Sequence, residues 1–159
     1  MKTLLTFHLI LLAAAVFAAP VTYLDSTGKI SGTASTNGSI TTYRDASGKV
    51  TGSSIQSGNR ITFRDASGKI VGTADRNGSH TIYRDARGRV SGGATAYGDR
   101  TTYRDRSGRI TGSSEPSGSQ TIYRNATGQL KGSVTDSSDS NLTRDGFFRV
   151  QPENNDNRR

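Results

Sequence analysis

The sequence predicts an all-β protein: six 20-residue β-hairpin repeats forming an antiparallel meander, curved or closed, as a barrel, a flower or an open spiral. Three observations predict it. A twenty-residue row recurs six times without insertion or deletion, each row carries two turn signals, and no apolar stripe of helical period runs along the chain. The rows are 21–40, 41–60, 61–80, 81–100, 101–120 and 121–140, with a partial row at 141–150, so the array occupies residues 19–150.

Taken in order, the first element is a leader. Lys2 supplies a positive start, Leu4 to Phe17 is almost wholly apolar, and Val16-x-Ala18 places small residues where a signal peptidase grips. Residues 1–18 therefore read as a signal peptide, with the exported chain starting at Ala19. The expected location is secreted, periplasmic or cell-surface, with no membrane span left after cleavage, because no later segment reaches the ~20 apolar residues of a spanning helix. Losing Lys2 takes the net charge from +8 to +7. A basic exported protein meets anionic surfaces.

Each row opens with a short strand such as Arg60-Ile-Thr-Phe-Arg64. Position 3 is aromatic throughout: Tyr23, Tyr43, Phe63, Tyr83, Tyr103 and Tyr123. A turn follows, as in Asp65-Ala66-Ser67-Gly68, with Asp where its carboxylate accepts from the backbone and Gly where a positive φ or a bulge is needed. The second strand carries an aliphatic residue at position 10 (Ile30, Val50, Ile70, Val90, Ile110, Leu130) and Gly at position 12. Asn37-Gly38 and Asn77-Gly78 then signal two-residue hairpin turns. The result is two strands per row and about twelve in all. If the first turn closes between positions 5 and 8, each ring faces the aliphatic of position 10 across the hairpin, with Gly at position 12 diagonal to it.

Only 31% of residues are hydrophobic, so a single row is far from self-sufficient. Burying one aromatic and one aliphatic yields ~3 to 6 kcal/mol, against ~20 kcal/mol or more for ordering twenty backbones. Stability has to come from stacked neighbours. The end rows differ from the rest: Leu24 stands where later rows have Arg, and the sixth row carries Asn125, Gln129 and Ser138 in place of Asp, a cation and Gly. Phe147, Phe148 and Val150 are placed to plug an open end, and 151–159 reads as a disordered polar tail.

The chemistry is sparse. The leaderless chain holds one His, His80, next to a turn, and no catalytic triad forms around it. The Asp series (Asp25, Asp45, Asp65, Asp85, Asp105) recurs at a turn-initiating position, with one carboxylate per loop where a calcium loop concentrates several. With no Cys, disulfides and thiolate metal sites are excluded. The sequence therefore predicts no enzyme, no cofactor and no metal.

What remains is a pair of cation rows. Position 4 carries Arg44, Arg64, Arg84, Arg104, Arg124 and Arg144, and position 9 carries Lys29, Lys49, Lys69, Arg89 and Arg109. In the register above they face each other on the polar side, a ladder with a repeat of ~10 Å suited to a repetitive polyanion. The alternative is that each Arg is neutralised by a neighbouring Asp, with its stem covering the sheet. From Arg84 to Arg109 there are seven Arg against three Asp, which concentrates any anion site in rows four and five. Tyr97 is the one aromatic outside the repeat position available for stacking in this stretch. Asn37, Asn77, Asn125 and Asn141 stand in Asn-x-Ser/Thr sequons.

Gly58-Asn-Arg-Ile-Thr-Phe-Arg-Asp65-Ala-Ser-Gly68-Lys-Ile70 resembles the YD repeats of RHS-type secreted proteins, with Asp-x-x-Gly-basic-aliphatic after an aromatic strand. The resemblance covers about 21 to 145. It departs before the Asp, where rows two to five carry Arg and the family has Tyr. It implies a hairpin array with a surface-contact role; six rows do not enclose a toxin as that family's shells do. The expected function is non-catalytic binding of an anionic polysaccharide, another polyanion or a protein partner through Arg44, Arg64, Arg84, Arg89, Arg104, Arg109, Arg124, Lys49 and Lys69. The competing expectation is a structural or self-assembling envelope component.

Overall fold

The computed structural model describes residues 10–12, 20–136 and 146–148. Strand β1 (Ile10–Leu12) pairs with β14 (Gly146–Phe148) in a separate two-stranded antiparallel sheet. The rest of the predicted leader, the proposed cleavage site, Arg144, Val150 and the 151–159 tail lie outside the described residues.

Twelve strands follow the rows. They are β2 (Val21–Asp25), β3 (Ile30–Asn37), β4 (Ile40–Asp45), β5 (Val50–Ser57), β6 (Arg60–Asp65), β7 (Ile70–Asn77), β8 (His80–Asp85), β9 (Val90–Tyr97), β10 (Arg100–Asp105), β11 (Ile110–Ser117), β12 (Gln120–Asn125) and β13 (Leu130–Asp136). Each pairs antiparallel with its neighbours in sequence, and β13 pairs with β2, so the meander closes into a barrel. Closure removes every free sheet edge from the array.

The register shows why six rows close. Within a hairpin Tyr43 lies opposite Gly52, and across to the next hairpin Gly52 lies opposite Asp65. Position 3 of one row is thus level with position 5 of the next, an advance of two residues per row. The seam obeys the same rule, with Gly132 opposite Asp25. Over six rows the stagger is twelve residues, equal to the strand number, the relation that in eight-stranded barrels tilts strands by about 36°. A twelve-stranded wall at that tilt has a radius of about 11 Å.

Large inward side chains are needed to fill that radius. Positions 1, 3, 12 and 14 face inward, placing Tyr43, Phe63, Tyr83, Tyr103 and Tyr123 in one buried layer, with Tyr23 partly buried beside the seam. Val21, Ile61, Ala34, Ala74, Ala94 and Val134 complete the core. The phenols of Tyr43 and Tyr103 share hydrogen bonds with the Ser54 and Ser114 hydroxyls at 3.0 Å and 2.8 Å. Burial pushes the Tyr43, Tyr23 and Tyr123 phenols above their ordinary range, and at Tyr123 the phenols of Tyr103, Tyr23 and Tyr83 add to the shift. Rings from different rows thus converge on the barrel axis.

The expected pairing of ring with aliphatic is overturned. A bulge after position 3 sets Arg44 opposite Val50, Arg64 opposite Ile70 and Arg84 opposite Val90, which turns the position 10 aliphatics out to the outer wall. The ring instead faces Gly directly. That Gly is required for a reason other than the ring: a β-carbon on Gly52 would come closer than 3.0 Å to the Arg64 carbonyl oxygen of the next hairpin.

Candidate functional site

The two ends of the barrel are built from different turns. At one end the two-residue turns have Gly first, as in Gly38-Ser39 between the paired Asn37 and Ile40, so Asn37 flanks the turn rather than forming its centre. The other end carries the six Asp or Asn turns. In each, the Gly accepts a positive φ (Gly48, 84°), and its N–H donates to the Asp45 carbonyl at 3.0 Å while Asp45 N–H donates to the Lys49 carbonyl at 3.0 Å. The Asp45 carboxylate accepts from the backbone N–H of Ser47 at 2.9 Å and of Lys49 at 3.0 Å. It also accepts from the Ser47 hydroxyl.

Those bonds hold the carboxyls of Asp45, Asp65 and Asp105 below the usual carboxylate range, with the hydroxyls of Ser47, Ser67 and Ser107 as the main cause. Thr27 does the same for Asp25. At Asp85 desolvation opposes the shift, and the Arg89 backbone N–H and guanidinium outweigh it. Asn125 shows that the charge is dispensable for the turn: its amide oxygen accepts from Thr127 N–H, the Thr127 hydroxyl and Gln129 N–H at 3.1, 2.8 and 2.9 Å.

A pH dependence follows from the lowered carboxyls. A depressed folded-state value stabilises the barrel above the unfolded value of about 3.9 and loses that contribution as pH falls through the lower folded value. The denaturant midpoint of the native protein is therefore expected to decline below about pH 4. Replacing all five turn Asp by Asn should flatten that decline while preserving the fold, whereas Asp65→Ala should lower the midpoint at every pH. A native midpoint that is level from pH 6 to pH 3 would contradict this role.

The arginines of position 4 do not face the cations of position 9. Lys49, Lys69, Arg89 and Arg109 sit in the turns, exposed, while the arginines curl along the outer wall onto their own turn. Arg44, Arg64, Arg84, Arg104 and Arg124 donate through Nη1 to the carbonyls of Gly48, Gly68, Gly88, Gly108 and Gly128 at 2.8 to 3.2 Å. Carboxylate contacts are fewer than neutralisation by neighbouring Asp requires. Arg84 reaches Asp75 at 3.6 Å, Arg124 reaches Glu115 at 3.6 Å, and Arg89 pairs with Asp85 at 2.8 Å. Asp75 is bonded chiefly to Arg60, on the opposite half of the wall.

Positions 4 to 9 of all six rows together form a rim holding twelve Lys and Arg against five Asp. Its charge is lopsided. The β8–β9 and β10–β11 hairpins are neighbours and bring Arg84, Arg87, Arg89, Arg104, Arg106 and Arg109 together with two turn carboxylates, Asp85 and Asp105, while Arg84 also reaches Asp75. Beside the seam the rim offers Lys29, Asp25 and Arg124. Arg87 and Arg106 belong to neither cation row. Each lies in an exposed turn beside the position 9 cation of its own row, Arg87 two residues from Arg89 and Arg106 three residues from Arg109.

Other sequence features fall away from this rim. His80 lies at the opposite end, its Nδ1 at 3.1 Å from the Ser79 hydroxyl. Tyr97 is also at that end and 89% exposed. Among the described residues no three His, Asp or Glu side chains converge in a metal-binding cluster, and no helix is long and apolar enough to cross a membrane. Comparison with protein-family models, curated proteins and solved structures returns no match.

Proposed function

We propose that this chain is an exported, non-catalytic barrel that binds an anionic surface polymer through its Asp-turn rim, with rows four and five as the centre of contact. The observation that supports the reading is the imbalance of twelve cations and five carboxylates on one rim, concentrated where two Arg-rich hairpins adjoin. The position 4 arginines are steered by turn carbonyls, which hold the guanidiniums without neutralising them. Neighbouring hairpins repeat at about 10 Å, so a charged polymer meets several cations at once and weak contacts add.

The test uses the protein starting at Ala19, which retains every strand of the closed barrel, against dextran sulfate, DNA and neutral dextran at low and high salt. Binding to the two polyanions, weakening steeply with salt, is expected, with none to neutral dextran. In Arg87→Gln/Arg106→Gln/Arg109→Gln, three exposed charges go and the turn-carbonyl bonds of the position 4 arginines stay. Affinity should fall by about tenfold or more. Conversely, Asp85→Asn/Asp105→Asn should tighten binding, since Asn125 shows that the turn tolerates the amide. Binding that ignores both salt and these substitutions would remove the rim from the function and favour a structural role.

A further inference from the structure

Row four breaks the repeat along one strip of the outer wall. At position 13, where every other row has Ser or Thr, it carries Gly93, and at position 17, where the others have Asn or Ser, it carries Tyr97. At position 2, Thr in four of the other rows, it carries Ile82, a change shared only with Ile122. The register sets these departures side by side. Gly93, Thr95 and Tyr97 alternate with the buried Gly92 and Ala94 and so face outward along β9. Gly93 lies opposite Ile82 on β8 and Arg104 on β10, Thr95 lies opposite His80 and Thr102, and Tyr97 lies opposite Arg100.

The other rows build the same strands with hydroxyls and amides at these positions, and here the changed side chains are left in solvent, Tyr97 at 89% and Ile82 at 44% exposure. Gly93 is also fixed locally. A β-carbon on it would lie 2.9 Å from the Thr81 carbonyl oxygen, so the wall is bare backbone between Ile82 and Arg104.

The result is a track along β9. Its eight residues, Val90–Tyr97, span about 23 Å, with the rim cations Arg87 and Arg89 at one end and the Tyr97 ring at the other. Arg84 and Arg104 flank it, their guanidiniums held by the Gly88 and Gly108 carbonyls. Asp75, the carboxylate opposite Ile82, is bonded to Arg60 and reached by Arg84.

Polyphosphate, which has neither sugar rings nor a hydroxyl edge, engages only the cations of this wall. A chain of acidic sugars engages all of it. The C–H face of a sugar ring packs on Tyr97 and Ile82, its hydroxyls exchange hydrogen bonds with Thr95 and Thr102, and its acid groups meet the arginines. Nucleic acid fits less well. Single-strand binders stack successive bases on several rings, and within the barrel Tyr97 is the one exposed ring.

We infer that the polymer of the preceding reading is an acidic polysaccharide, laid along β9 from the Arg-rich rim to Tyr97. The inference rests on that reading and adds the class of polymer and its path.

The test uses the protein starting at Ala19 with polygalacturonate and with inorganic polyphosphate of similar length, at low salt. Ile82→Thr/Tyr97→Ser restores side chains found in the other rows and alters no charge. It should weaken polygalacturonate binding by about tenfold, with polyphosphate binding and the thermal midpoint unchanged. Tyr97→Phe keeps the ring and should bind as the parent does. The chain has no Trp, so Tyr97→Trp gives an unambiguous emission signal, expected to shift with polygalacturonate and to stay put with polyphosphate.

Undiminished polygalacturonate binding in Ile82→Thr/Tyr97→Ser would overturn the path; the rim reading would still stand if Arg87→Gln/Arg106→Gln/Arg109→Gln loses affinity. Equal weakening toward both polymers would overturn the sugar contact, as would a preference for polyphosphate or single-stranded DNA over polygalacturonate. Binding to no polyanion would remove this inference and the rim reading together.

Discussion

Deleting one row, residues 61–80, is expected to abolish the monomeric closed barrel. The remaining ten strands keep an advance of two residues per row, so strand number and stagger still match and the tilt is unchanged. The radius, however, shrinks from about 11 Å to about 9 Å. The cross-section falls by about a third while the inward side chains fall by a sixth, so five rings are crowded into too small a cylinder. A chain that fails to close exposes two strand edges and pairs with other copies. Light scattering after size exclusion should show oligomers or aggregate in place of a monomer.

The matched control is a circular permutant starting at Arg60, with Asp136 joined to Val21 through a Gly-rich turn. The seam pairs Gly132 with Asp25 as internal junctions pair Gly52 with Asp65, so moving the break changes no pairing. The permutant should stay monomeric and cooperative. A five-row chain that is monomeric and melts like its parent would show that the wall is not bound to this radius.

Gly52→Ala should be among the most damaging single substitutions in the protein, costing ~3 kcal/mol or more. The added β-carbon would meet the Arg64 carbonyl oxygen, which belongs to β6, a strand hydrogen-bonded on both sides. In an open sheet the outer strand can swing away; in a closed barrel it cannot do so without breaking its other ladder. Gly48→Ala tests the alternative, that any Gly substitution is equally harmful. Gly48 sits at φ 84° with open space around it, so its cost is only that of a left-handed residue, about 1 to 2 kcal/mol. Equal losses for the two variants in denaturant unfolding would refute the steric account.

Much of this architecture is legible in the residues. Asp65-Ala-Ser-Gly68 specifies its turn because carboxylate, hydroxyl and positive-φ Gly meet within four residues, all local in sequence. The six aromatic positions mark the core layer for the same reason. Hidden in the sequence is the bulge after position 3. Its effect is to move Val50 from beside Tyr43 to opposite Arg44, and so from the expected core face to the outer wall. A one-residue slip exchanges the two faces of a strand, and nothing in the alternation of Lys49-Val50-Thr51-Gly52 announces it. The Gly at position 12 was visible as a constraint, yet its cause lies in the next hairpin, twelve residues away at Arg64.

The cation rows were legible as a list and misleading as a geometry. Arg44 and Lys49 do not face each other, because the bulge sets Arg44 opposite Val50, and the antiparallel meander gathers all six Asp or Asn turns at one end, Arg87 and Arg106 with them. By itself the sequence determined strand number, turn chemistry, the aromatic layer and the excess of positive charge, since each depends on neighbours within a few residues. Closure, radius and which aliphatics face outward were decided by tertiary structure. They depend on the register summed over twelve strands, where an advance of two residues per row becomes a closed ring only when the sixth row meets the first.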